Sequence, residues 1–160
     1  RKILTDKDPA LHKVCRPVTN FDQRLWDLLD DLKETLADAG GAGLAAPQVG
    51  ILRPCVIVVD AQEQMLELVN PEIIWRSEEI QDGWEGCLSV PGKWGTVERP
   101  MKVRVKAQDR NGNWFEAEGE AIVARCFCHE LDHLEGHIFT ELTDRLYTQK
   151  ELDEMYEEEE

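Results

Sequence analysis

The sequence predicts an α+β fold: mixed, mainly antiparallel strands surrounding a central helix. Three observations predict it. Leucines spaced i, i+3, i+4 over residues 21–39 make an amphipathic helix. Short β-branched segments parted by turn residues then run from 54 to 120. A second helical segment, Glu120 to Leu134, follows them and contains His129-Glu130-Leu131-Asp132-His133. Helices and strands segregated along a chain in this way belong to the α+β class.

With 160 residues the chain reads as one domain, 1–160, long enough to bury a core. A hydrophobic fraction of 42% beside 32% charged residues fits a soluble globular protein. No apolar run approaches the ~20 residues that span a bilayer, so no membrane association is expected. No signal-peptide pattern opens the chain, and because it begins at Arg1 an initiator Met is expected to precede it. Five cysteines at irregular spacing argue against a disulfide framework and for a reducing, cytoplasmic setting. Net charge is −15, and residues 151–160 supply seven acids and no base. Without them 18 bases face 26 acids, so much of the imbalance is an acidic tail, read as frayed and solvated. Such a balance speaks against direct nucleic-acid binding. A ribosome would have to be met through a local basic patch, and no basic run marks one.

Residues 1–19, with Pro9 and Pro17, read as an irregular arm with at most one short helical turn; Cys15 reads as a half-buried structural thiol. The 21–39 helix is capped by Thr19 or Asn20, has an apolar face of Leu25, Leu28, Leu29, Leu32 and Leu36, and ends at Gly40-Gly41. In the block Gly40 to Gly50, small residues let the backbone approach a packed helix or a ligand. The block has Leu44 and Val49 where a flexible linker would have Ser or Asn, and Gln48 is its only side-chain donor. Pro54 to Asp60 is a buried strand, Leu66 to Val69 a second that Asn70-Pro71 breaks, and Ile73 to Glu79 a third. Residues 83–92 form an extended piece between turns. Trp94 to Arg99 and Lys102 to Asp109 are strands, Asn111-Gly112 marks a hairpin turn, and Trp114 to Glu120 returns from it. The motif helix stops near Gly136, and a last short helix covers Gln149 to Tyr156.

On a helix, residues four apart stack on one face. His129 and His133 can therefore hold one metal ion, with Glu130 placed to reach a water rather than to ligate, which is the metal-hydrolase arrangement. The bland alternative is a solvated amphipathic helix that spells HExxH by chance. A catalytic site of this type needs a third protein ligand. The extended pattern HExxHxxGxxH would put it at position 139, which is Phe139. His137 follows Gly136, past the helix end, and a downstream glutamate would have to be Glu151 or Glu154. The better candidate lies upstream: Cys87, in Glu85-Gly86-Cys87-Leu88-Ser89. A thiolate with two imidazoles suits Zn2+, Fe2+, Co2+ or Ni2+.

Three blocks now stand in order: Gly41-Ala42-Gly43-Leu44-Ala45-Ala46-Pro47-Gln48, Glu85-Gly86-Cys87-Leu88-Ser89, and His129-Glu130-Leu131-Asp132-His133. Together they resemble the peptide deformylase family in its compact bacterial form, over nearly the whole chain. The resemblance implies a metal-dependent hydrolase that removes the N-formyl group from the N-terminal formyl-methionine of new polypeptides and releases formate. It implies Cys87, His129 and His133 as metal ligands and Glu130 as general acid/base. It implies Gln48 and the backbone N–H of Leu88 as oxyanion donors, and Gly43, Leu44 and the 85–88 backbone, Glu85 and Gly86 included, as partners of an extended substrate. Glu85 and Arg99 would form a supporting ion pair. Ile122 and Cys126 would line the methionine pocket, with Trp94 at its edge, and Arg125 would reach substrate backbone or snorkel out. The metal implied is Fe2+, replaceable by Zn2+ or Ni2+. The partners implied are formyl-methionyl nascent peptides and, transiently, the ribosome.

The residue before the first motif His is commonly Gln in that family, and here it is Cys128, a change in support of the metal ligands. Asp132 is expected to face outward or to take a local hydrogen bond. Two other readings stand beside the resemblance: an endopeptidase with a glutamate third ligand, and a catalytically weakened metal protein used for binding.

Overall fold

The computed structural model describes residues 1–159. The leucine stripe becomes helix α1 (Gln23–Ala39). Its cap is Asp22 rather than Thr19 or Asn20: the carboxylate accepts the Leu25 N–H at 3.1 Å. Gly40, at φ 74°, closes it through its N–H to Leu36 O. Strand β1 (Gly43–Ala45), a 3-10 turn over Ala46–Val49 and strand β2 (Cys55–Val59) follow. Then come β3 (Met65–Arg76), β4 (Ile80–Cys87), β5 (Val90–Pro100), β6 (Lys102–Gln108) and β7 (Trp114–Glu120). Helix α2 (Ile122–Leu134), a 3-10 turn over Phe139–Glu141, β8 (Tyr147–Thr148) and α3 (Gln149–Glu159) complete the order.

All strand pairs are antiparallel, in a five-stranded sheet β1-β2-β3-β6-β7 and a three-stranded sheet β4-β5-β8. Side-chain alternation along β2 places the two main helices. Cys55 and Ile57 join the core of the α1 leucines, whereas Val56 and Val58 join Ala124, Phe127 and Leu131 of α2. The five-stranded sheet thus lies between α1 and α2. Helix α2 also touches β5 of the other sheet, so it is central, enclosed on both sides. Cys128 faces the sheet from α2 and is buried in that core.

Three elements depart from the expectation. The 66–69 and 73–79 strands are one, β3, which runs through Asn70-Pro71. Asn70 adopts φ 50°, a conformation Asn tolerates, and the register against β6 shifts between Val69 and Glu72. The bulge absorbs the missing Pro71 N–H, and the Asn70 side chain bonds both Val18 main-chain groups at 2.8 and 2.9 Å. Residues 83–92 are a paired hairpin rather than a loose extended piece, with Cys87 opposite Val90. The acidic tail is helical through Glu159, because Leu152 is buried and the Trp84 Nε1–H donates to Tyr156 Oη at 3.0 Å. Glu160, the last acid of that run, lies outside the described residues. No helix among the described residues is long and apolar enough to cross a membrane.

Candidate active site

Helical spacing brings His129 and His133 to one face of α2, their ring centroids 5.2 Å apart. The β4–β5 hairpin brings Cys87 to the same point, turned by a register shift between Glu85 and Cys87. One donor atom from each of the three lies within 4.8 Å of the others. Cys87 Sγ is 3.5 Å from His133 Nε2, close to the roughly 3.5 Å expected between sulfur and nitrogen ligands of one tetrahedral ion. Among the described residues no other cluster of His, Cys, Asp or Glu has this form. His137 is exposed and paired with Glu141, and Glu151 is taken up by Arg145 and Thr148. Phe139 stacks on the His129 ring, centroid to centroid 5.9 Å.

A buried chain of charges orients the first histidine. Arg99 grips Glu85 at two points, Nε to Oε2 at 2.8 Å and Nη2 to Oε1 at 2.9 Å. Glu85 Oε1 in turn lies 2.8 Å from His129 Nδ1, which leaves His129 Nε2 free to ligate. Asp132, expected to have no such part, accepts from Arg99 Nη1 at 2.8 Å. Arg125 does not snorkel out: it is buried and its Nη1 donates to Glu85 Oε2 at 2.7 Å.

Burial opposes ionisation of Glu85, but hydrogen bonds from Arg99 and His129, with their charges, hold its carboxyl down at about 2. Because the folded value lies below the ordinary one near 4.5, Glu85 stabilises the native state above pH ~4.5, and this contribution is lost as pH falls toward 2. Urea unfolding should therefore show the parent losing more stability than Glu85→Gln between pH 5 and 3. Parallel pH profiles would refute the assignment.

Burial also opposes charge on both imidazoles. It prevails at His133, held down to about 3, and keeps that ring neutral as a ligand must be. At His129, hydrogen bonds to Cys87 and Glu85 and the Glu130 charge outweigh burial and push the ring up to about 10. The centre's one thiol and two imidazole donors fit a divalent cation. Burial pushes the Glu130 carboxyl up to about 7.

Gln48 is fully enclosed in the turn after β1. Its Oε1 accepts the Ala45 N–H at 2.9 Å, and this fixes Nε2 toward Ser89 Oγ at 3.1 Å and Cys87 Sγ at 3.6 Å. Ser89, buried and unassigned from the sequence, also turns its own N–H toward Cys87 Sγ at 3.5 Å. A cavity of about 500 Å³ opens beside these groups. Gly43, Gln48, Glu85, Gly86, Cys87, Leu88, Trp94, Ile122, Arg125, Cys126, His129 and Glu130 line it, with Trp84, which sequence reasoning missed although it adjoins the Glu85 block. Ile122, expected in the pocket wall, is 72% exposed at the start of α2.

Leu44 is the exception among the expected substrate contacts. Its side chain is buried in the α1 core, away from the cavity. The Val59 N–H to Ala42 O bond, at 2.9 Å, sets the alternation of the β1–β2 pair. Leu44 then turns its main-chain groups to β2, while Gly43 turns its own toward the free edge. A Cβ at Gly43 would sit 2.6 Å from Glu130 Oε2 and 2.8 Å from Cys126 Sγ. Gly43→Ala should lower kcat/KM more than tenfold by displacing Glu130, an expectation that steady-state kinetics checks. Gly86 has a similar constraint, since a Cβ there would enter the Trp94 ring.

Residues 1–149 match the polypeptide deformylase family. The chain is 51% identical to the peptide deformylase of Caldicellulosiruptor bescii over 96% of this chain and 92% of that one. It is 50% identical to the peptide deformylase of Agathobacter rectalis over 88% of each. Among solved structures it resembles the Thermotoga maritima peptide deformylase, with a TM-score of 0.86, 37% identity and 90% and 97% of the two chains covered. A Legionella pneumophila peptide deformylase gives 0.84 and 38%, with 99% and 96% covered.

Proposed function

Because the chain belongs to the polypeptide deformylase family, metal-dependent hydrolases that remove the N-formyl group from new polypeptides, we propose how its own residues carry out that reaction. Cys87, His129 and His133 would hold the metal, with Fe2+ as the native ion and Zn2+, Ni2+ or Co2+ able to take its place. When bound, the ion supplies Lewis acidity that makes water a competent nucleophile near neutral pH. Glu130 would take the proton of the attacking water and return it to the leaving amine, work suited to a buried carboxyl pushed up to about 7. Gln48 Nε2 and the Leu88 N–H donate to the developing oxyanion. The Gln48 amide is held in place beforehand by Ala45 and Ser89, so it needs no reorganisation. Glu85, clamped by Arg99, keeps the His129 ring in register.

The substrate lies extended along the free edge of β1 at Gly43 and the 85–88 backbone, held by main-chain bonds. Its first side chain enters the cavity beside Ile122, Arg125 and Cys126, with Trp94 at the edge. Recognition beyond that residue is accordingly tolerant. The protein is one catalytic domain that acts in the cytoplasm on formyl-methionyl nascent peptides and meets the ribosome transiently.

The observation that carries this reading is the convergence of Cys87, His129 and His133 beside Glu130 and Gln48 at one cavity. The test is formate release from a formyl-Met tripeptide by anaerobically prepared, Fe2+-loaded protein. Metal uptake without formate would overturn the reading and favour a binding role.

A further inference from the structure

The face of the β4–β5–β8 sheet turned away from α2 carries a row of aromatic rings beside the cavity. Glu85 faces α2, where it meets Arg125, so its neighbour Trp84 on β4 faces the other way. Trp84 pairs with Thr96 across the hairpin, and Trp94, two residues before Thr96, pairs with Tyr147 of β8. Partners in an antiparallel ladder share a face, so Trp84, Trp94 and Tyr147 stand together. The Trp94 ring lies over Gly86, where a Cβ would strike it. Trp84, Gly86 and Trp94 all line the cavity.

The C-terminal segment holds Trp84 from outside the sheet. The Trp84 Nε1–H donates to Tyr156 Oη of α3 at 3.0 Å, and the indole meets Tyr147 edge to face, centroids 5.2 Å apart. Arg145 stacks on Tyr147 at 4.3 Å and pairs with Glu151 of α3 at 2.8 Å. The buried Leu152 docks α3 one turn before Tyr156. Tyr156 is itself half exposed, and among the described residues the hydrogen bond to Trp84 is the only one its side chain makes.

A peptide added along the free edge of β4 alternates its side chains between the two faces of the sheet. With the first on the α2 face, beside Arg125 and Cys126, the second falls on the face of the indoles. Resting on the deformylase reading of this cavity, we propose that Tyr156 is a positioning residue: from α3 it holds the Trp84 indole against the second side chain of the formylated peptide, where a large apolar group is favoured. An indole face offers apolar area and no charge, so the preference is a graded bias within the tolerance that main-chain binding allows.

The test measures kcat and KM for formate release from formyl-Met-Phe-Ser and formyl-Met-Gly-Ser, using metal-loaded parent, Trp84→Ala and Tyr156→Ala proteins. The parent should favour Phe over Gly by about fivefold in kcat/KM, expressed mainly in KM because the indole lies away from the reacting atoms. Trp84→Ala and Tyr156→Ala should each bring the two substrates to within about twofold of one another. Tyr156→Ala, at a half-exposed position, carries the test if Trp84→Ala does not fold. A contact that served only to dock α3 would make Tyr156→Ala slow both substrates alike and keep the parent's ratio. That result, or a parent that treats the two substrates alike, overturns the inference alone, since formate release would still stand. No formate from either substrate overturns the deformylase reading and the inference with it.

Discussion

Glu130→Gln should lower kcat/KM for formate release by on the order of 10³, while metal content and the unfolding midpoint stay close to the parent's. The side chain is 4% exposed, one oxygen faces the Gly43 backbone, and the other has no hydrogen-bond partner among the described residues. Among the described residues no hydrogen bond holds this carboxylate, so removing its basicity costs little structure. An amide of the same shape cannot take a proton from water or return one to the leaving amine. Direct measurement of formate in parallel with metal analysis separates the two contributions. A variant that keeps its metal and more than a tenth of the parent activity would remove Glu130 from its role.

Cys87→Ala should strip the metal and the activity together. The two imidazoles lie on one helical face, and among the described residues the thiol is the only donor to the cluster supplied by the second sheet. With two nitrogens left, the centre lacks the three ligands a catalytic ion of this class requires. Gel-filtered variant should hold close to zero ion per chain where the parent holds about one. By contrast, Arg99→Ala leaves all three ligands and loosens only their support, for which a 10–100-fold loss in affinity is expected. Full metal retention in Cys87→Ala would point to a different third ligand, as in a glutamate-ligated endopeptidase. Glu151 and Glu154, the candidates for that ligand, are on α3, outside the cluster.

Legibility along the chain followed the range of the interaction. The α1 stripe, the α2 motif helix and the Asn111-Gly112 hairpin turn depend on neighbours a few residues apart, and their patterns appear directly in the sequence. Asn70-Pro71 misled because a local breaker was compensated by Val18, 52 residues away in the chain. Leu44 misled because its place in a functional block hides its parity on β1, which only the pairing with β2 reveals. Ser89 and Asp132 sit inside quoted blocks, yet their partners, Gln48 and Arg99, come from other elements.

By itself the sequence determined the class of fold, the two imidazoles on one helix face, the neighbouring Glu130 and a short set of candidates for the third ligand. Helix periodicity and side-chain chemistry suffice for those. Tertiary structure alone decided that Cys87 lies 3.5 Å from His133, that Glu85 is shared by Arg99, Arg125 and His129, and that Arg125 turns inward against Gly83. Those outcomes depend on how the β4–β5 hairpin docks on α2. The docking is set by packing and buried charge pairing across some 40 residues of intervening chain, as between Glu85 and Arg125, and no local pattern encodes it.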